Sequence, residues 1–228
     1  MPGIKEISTN KKNTLKEELF GEELVKSIDK HLYVAPGESR KGTFYPSALG
    51  NSCDRALFLS YHVGLPSSEI SPQLNRIFDH GNATQSRYKK YFSQLGYLVD
   101  EEVVVKHQFP PISGRADFLL NMNGLIYVVE LKTINKDGFS GLSGPKSDHA
   151  TQLQIYLNML DIKQGGVLYE CKDNQDIKIF DLKQSKSAWK NILKRCEKII
   201  NMGIMPRLHE VEGIHDRYCP CLLVKDES

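Results

Sequence analysis

Hydrophobic positions change period along this chain, and the changes divide it into helices and strands. Over residues 73–95, Leu74, Ile77, Phe78, Gly81, Tyr88, Phe92 and Leu95 recur three, four or seven apart, which predicts one helix with those residues on its buried face. Gln85 falls near the centre of that face, and His80 on its flank. A buried amide is either hydrogen-bonded in the core or lines a site, and Gly81, one turn earlier, would allow a close approach. From residue 97 the period shortens to two. Residues 97–106, 109–120 and 125–132 read as successive strands, the last two joined through Asn121-Met-Asn-Gly124, whose Asn123-Gly124 pair is a strong hairpin signal. Residues 149–160 then read as a helix, 166–172 and 177–182 as strands, and 186–202 as a final helix.

Upstream, Thr14-Leu-Lys-Glu17 reads as a capping box opening a helix over 14–33, and 53–61 as a short helix. Residues 35–42 and 64–72 are loops, and 133–148, rich in Gly, Ser and Lys, is expected to be a mobile loop. This order predicts an α/β fold with a central mixed β-sheet flanked by helices and an N-terminal helical region. We expect a single domain over 1–228: a flexible 1–13, a helical part 14–95, an α/β core 96–183, and a C-terminal helix with a cysteine-containing tail over 184–228.

Composition narrows the functions less than the pattern does. The 30 basic and 28 acidic residues leave a formal charge of +2, which neither demands nor excludes nucleic acid. Local clusters therefore matter: Arg87, Lys89 and Lys90, interleaved with Tyr88 and Tyr91, suit phosphate contact and base stacking or form a solvated helix face, as do Arg40 and Lys41. No apolar run approaches the roughly 18 residues of a membrane span, and Met1-Pro-Gly-Ile-Lys-Glu6 lacks an apolar signal core. A cytoplasmic protein is expected, in the host cytoplasm if viral. Five cysteines without an export signal argue against a disulfide framework, and Cys171 and Cys196 fall at core positions.

The chemistry concentrates in Glu130-Leu-Lys132. Strand side chains alternate, so Glu130 and Lys132 point one way and Leu131 the other. Asp117 joins them if 109–120 and 125–132 pair as a hairpin. Two carboxylates with a lysine at a strand end suit metal-assisted phosphodiester hydrolysis: Asp117 and Glu130 would bind hard divalent ions, Mg²⁺ or Mn²⁺, and Lys132 would orient or deprotonate the attacking water. An ordinary hairpin with salt-bridging charges is the plainer alternative. Gln152 and Tyr156, four apart on one helix face, could hydrogen-bond a phosphate or nucleotide.

Taken in order, Gly81-Asn-Ala-Thr-Gln85, Gly114-Arg-Ala-Asp117, Glu130-Leu-Lys132 and Gln152-Leu-Gln-Ile-Tyr156 resemble the motifs of the PD-(D/E)XK nuclease superfamily, in particular its RecB-like exonuclease branch of phage and CRISPR-associated nucleases. The resemblance extends over residues 45–160. It implies a restriction-endonuclease-like core, metal ligation by Asp117, Glu130 and the backbone carbonyl of Leu131, catalysis by Lys132, and contact of Gln152 and Tyr156 with DNA. Where such relatives carry a histidine ligand after Gly-x-x-x, this chain has Gln85, a weaker ligand for Mn²⁺. His80 would replace it only if the helix rotated or unwound.

Many such relatives also hold a [4Fe–4S] cluster on one early and three late cysteines. Here Cys53 resembles the early ligand, and the tail offers Cys219 and Cys221. A cluster completed by His209, His215 or a relocated Cys196, a zinc ion on three cysteines and a histidine, and an unliganded trio of thiols all remain open.

The expected function is therefore that of a Mg²⁺- or Mn²⁺-dependent DNA nuclease, an exonuclease on single strands or DNA ends, serving repair, recombination or phage- or CRISPR-related processing, with protein partners and no membrane. An endonuclease of structure-specific or restriction type is the enzymatic rival. A DNA-binding subunit with a decayed site is the non-enzymatic one.

Overall fold

The computed structural model describes residues 12–37, 41–64, 69–207, 219 and 221. The elements follow the expected order. Five strands, β1 (Leu98–His107), β2 (Ile112–Met122), β3 (Leu125–Ile134), β4 (Gln164–Cys171) and β5 (Ile177–Lys183), form one sheet in sequence order. The β3–β4 pair is parallel and the others antiparallel, because only that connection is long enough to carry a crossover helix. The predicted β2–β3 hairpin turns through Asn123 (φ 55°) and Gly124 (φ 81°), the left-handed pair of a type I′ turn. The Asn121 side chain accepts the Gly124 N–H at 2.9 Å.

Helices cover both faces of the sheet. Val128 and Val129 are consecutive on β3 and enter different cores. On one side α6 (Ser147–Met159) buries Leu153, Tyr156 and Leu157 against Val128, Val167 and Tyr169. On the other, Tyr88 and Phe92 of α4 (Pro72–Gln94) pack on Phe118, Leu120 and Val129. A further core joins Ile155 of α6 to Leu49 of α2 (Pro46–Leu49), Leu57 of α3 (Asp54–Phe58), and Cys196 and Ile199 of α7 (Lys186–Ile200). Cys171 and Cys196 are core residues, as expected.

The described chain divides into two compact units, residues up to 37 with 67–80, and 38–66 with 81–228. In the first, α1 (Lys12–Leu32) is followed by a bridge between Val34 and Ile70, and Arg76 pairs with Asp29 at 2.8 Å. The second contains the sheet. Among the described residues no helix is long and apolar enough to cross a membrane.

Several local expectations require correction. Helix α1 begins at Lys12, so Thr14 lies inside it rather than at its cap. Ile77, Phe78 and Leu95 are exposed; Thr84 and Tyr88 are the buried residues of α4, because burial comes only where the helix meets Phe118 and Leu120. A Cβ on Gly81 would meet nothing within 4 Å, so no close approach requires that glycine. Residues 133–148 are not a bare loop. Strand β3 continues to Ile134, and α5 (Lys136–Ser140) follows, with Asn135 capping Gly138 N–H. Phe139 is buried, and Lys178 Nζ donates to the Phe139 and Leu142 carbonyls.

Candidate active site

Pairing between β2 and β3 runs from the turn to Phe118↔Val129 and stops there. The next opposed residues are Asp117 and Glu130. Beyond this point β2 continues along β1 and β3 along β4, so the two carboxylates stand where the sheet opens. The lost ladder bond is replaced by a side chain: Leu131 N–H donates to Asp117 Oδ2 at 2.8 Å. The N–H and C=O of one strand residue point to the same side, so the Leu131 carbonyl is directed toward the opening as well.

Four side chains follow in a hydrogen-bonded row. Glu130 Oε1 lies 2.7 Å from Lys132 Nζ, Lys132 Nζ donates to Gln152 Oε1 at 3.1 Å, and Gln152 Nε2 donates to the Tyr156 hydroxyl at 3.2 Å. The two-residue period of β3 aligns the first pair, and the four-residue spacing on α6 aligns the second. Tyr156 is 2% exposed and Gln152 8%. Gln152 thus binds the Lys132 ammonium directly, and Tyr156 in turn holds Gln152. Gly114 admits this arrangement: a Cβ there would lie 2.6 Å from Pro46 Cγ and 3.3 Å from Tyr156 Cε1.

Burial makes the pair of acids costly. Glu130 is 1% exposed, and its Oε2 has no hydrogen-bond partner among the described residues. Desolvation, and then the facing Asp117, push the Glu130 carboxyl well above the ordinary range, with Lys132 opposing. Asp117 is also raised, by desolvation first, against the Leu131 amide and Lys132. Burial raises the Tyr156 hydroxyl, followed by the Glu130 charge.

The remaining candidates stand elsewhere in the network. Gln85 Nε2 donates to Glu102 Oε1, an acid that the sequence reading did not single out. His80 is half-buried in the first unit; five residues from Gln85, it projects about 140° away around the helix. Arg87 is tied to the buried Glu170, and Lys89 to Glu101, so both cations already hold α4 to strands. Lys90 is exposed. His149, also missed, accepts or donates at 2.8 Å to the Tyr169 hydroxyl, and burial depresses its pKa to about 4.

A second cluster lies at the N-terminus of α3. Cys53, Cys219 and Cys221 are buried, with sulfur atoms within 4.8 Å of one another, and the Cys219 and Cys221 sulfurs are 3.0 Å apart. Desolvation and the neighbouring thiols raise the Cys221 pKa. Cys196 belongs to the core between α6 and α7 and is not part of this group, which removes it as a fourth ligand. His209 and His215 lie outside the described residues.

No protein-family model matches this chain. Among solved structures it shares its fold with the crystal structure of SSO0001, at TM-score 0.52 and 22% identity over 82% of this chain and 87% of that one. It also aligns with an alkaline exonuclease (LHK-Exo) from Laribacter hongkongensis, at TM-score 0.50 and 14% identity over 70% of this chain and 86% of the other. LHK-Exo in complex with dAMP gives TM-score 0.52 at the same identity and coverage. At these identities the likeness is one of fold alone.

Proposed function

We propose that the protein is a divalent-metal-dependent deoxyribonuclease, an exonuclease of the RecB-like type acting on single strands or DNA ends. The observation that carries this reading is the opening of the sheet at Asp117 and Glu130 with Lys132 held beside it. The donor set fits a hard cation: two opposed carboxylates, both pushed toward protonation by burial, and a buried Glu130 oxygen without a partner. Asp117, Glu130 and the Leu131 carbonyl would hold Mg²⁺ or Mn²⁺, which when bound supplies Lewis-acid polarisation of the scissile phosphate.

The chain's own residues supply the rest. Lys132, braced by Glu130 and Gln152, is placed to orient the attacking water and to offset negative charge developing on the phosphate. Gln152, itself held by Tyr156, would help keep the lysine oriented toward the reacting phosphate. The alkaline exonuclease fold favours DNA as substrate.

The test is metal-dependent degradation of labelled linear single-stranded DNA by the native chain and by Lys132→Ala. Activity lost in the variant and restored by neither Mg²⁺ nor Mn²⁺ supports the assignment; equal activity removes Lys132 from the mechanism. Cleavage of a closed circular single strand would instead identify an endonuclease.

For the cysteine trio we propose one thiophilic ion, zinc. Tetrahedral Zn–S bonds of about 2.3 Å set sulfurs about 3.8 Å apart; the three sulfurs here all lie within 4.8 Å of one another, the closest two at 3.0 Å, so zinc needs the Cys219–Cys221 pair to part slightly. The sulfurs that ligate a [4Fe–4S] cube sit on separate irons and stand further apart.

A further inference from the structure

We infer that Glu102 is a third carboxylate of the candidate site, forming with Asp117 a second cation position, and that Gln85 positions this carboxylate instead of ligating metal itself. The inference rests on the metal-dependent nuclease reading above and extends it to a residue outside the motif set.

The β1–β2 pairs Glu101↔Phe118 and Val103↔Ala116 bracket Glu102 and Asp117, so the two residues are neighbours across these strands. Asp117 is therefore flanked by Glu102 on β1 and by Glu130 on β3. Glu102 also occupies left-handed backbone, φ 51°, within the strand. A glutamate gains nothing locally from that conformation. Both of its oxygens are held: Gln85 Nε2 donates to Oε1, and the Arg115 guanidinium lies 2.8 Å from Oε2. A carboxylate oxygen has lone pairs left after one hydrogen bond, and ligating carboxylates are ordinarily supported in this way.

Arg115 and Lys132 offset two of the three acids, and an independent sign of a further cation is Glu130 Oε2, buried in a side chain that is 1% exposed and without a hydrogen-bond partner among the described residues. Lys132 is committed to the other oxygen of Glu130. The contact with Glu102 also orients the Gln85 amide, because a carboxylate accepts only from the NH₂ end. The glutamine thus supports a ligand where the resemblance implies a ligand on the helix.

Mn²⁺ titration of the metal-free full chain, followed by calorimetry and by the loss of the free-ion electron paramagnetic resonance signal, tests this without reference to activity. The native chain is expected to take up two ions and folded Glu102→Gln only one, with Glu102→Asp recovering the second at lower affinity. Native stoichiometry and affinity in Glu102→Gln overturn the inference. Should Glu102→Gln not fold, Gln85→Ala must weaken the second ion about tenfold or more, and unchanged affinity there overturns it equally. If the native chain binds no more Mn²⁺ than the double variant Asp117→Asn/Glu130→Gln, the metal site itself is refuted. That outcome is distinct from the selective loss or retention of one ion.

Discussion

Asp117 Oδ2 accepts the Leu131 amide at 2.8 Å, so a side chain takes the place of a backbone carbonyl at the first rung beyond the β2–β3 ladder. This bond ties Asp117 to β3 next to Glu130. It also separates two roles that one carboxylate performs. Asp117→Asn can keep the acceptor and relieve the charge, whereas Asp117→Ala leaves the amide unpaired. We expect both to lose nuclease activity, with Asp117→Ala about 1–2 kcal/mol less stable than Asp117→Asn by denaturant titration. Equal stability would mean that water replaces the bond at no cost.

Gln152 is expected to act through Lys132. Gln152→Ala should lower kcat on single-stranded DNA while leaving KM close to native, because the amide is 8% exposed and braces the ammonium. A rise in KM with unchanged kcat would make Gln152 a DNA contact instead. Steady-state kinetics over a range of DNA concentration distinguishes the two.

Gly114→Ala introduces a methyl group 2.6 Å from the Pro46 ring and 3.3 Å from the Tyr156 ring. Either α2 or Tyr156 must yield. Overpacking of this kind costs about 1–3 kcal/mol, and displacement of Tyr156 loosens Gln152. Thermal unfolding and activity should fall together in this variant.

His149 is kept neutral in the folded chain, its pKa depressed to about 4, chiefly by burial and further by Lys132 and Lys146, with Asp148 opposing. The unfolded chain takes up this proton near the ordinary 6.5. The stability associated with neutral His149 is therefore complete above pH 6.5 and is lost progressively as pH falls toward about 4. Melting temperature measured against pH should show this loss in the native protein and a shallower one in His149→Gln.

The cysteine trio should copurify with zinc in about one equivalent per chain, measured by elemental analysis. Cys221→Ser is expected to lose the metal and to melt at lower temperature. Visible absorption with iron and sulfide in anaerobically purified protein would identify a cluster instead, and metal-free protein of unchanged stability would remove the site.

Much of the fold was legible because its signals are local. Alternation over β1 to β3, the Asn123-Gly124 turn and the helical spacing on α6 and α7 are set within a few residues, and the five-stranded mixed sheet follows their order. The boundaries that failed lie where tertiary contact decides. Ile77 and Phe78 have helical spacing but no covering partner in the described fold, and Phe139 anchors a segment whose Gly and Ser content reads as loop.

At the site, the sequence by itself determined the facing of Glu130 with Lys132 and of Gln152 with Tyr156, because strand and helix periods leave no other choice. It also implied that Asp117 faces them across a hairpin. Only the tertiary structure decided that the ladder stops one rung before these acids, that Gln152 binds Lys132 and is itself held by Tyr156, and that Glu102, on the strand beside Asp117, is bound by Gln85. Those relations depend on where strands part and which helix crosses them, and both are settled by packing between residues far apart in the chain.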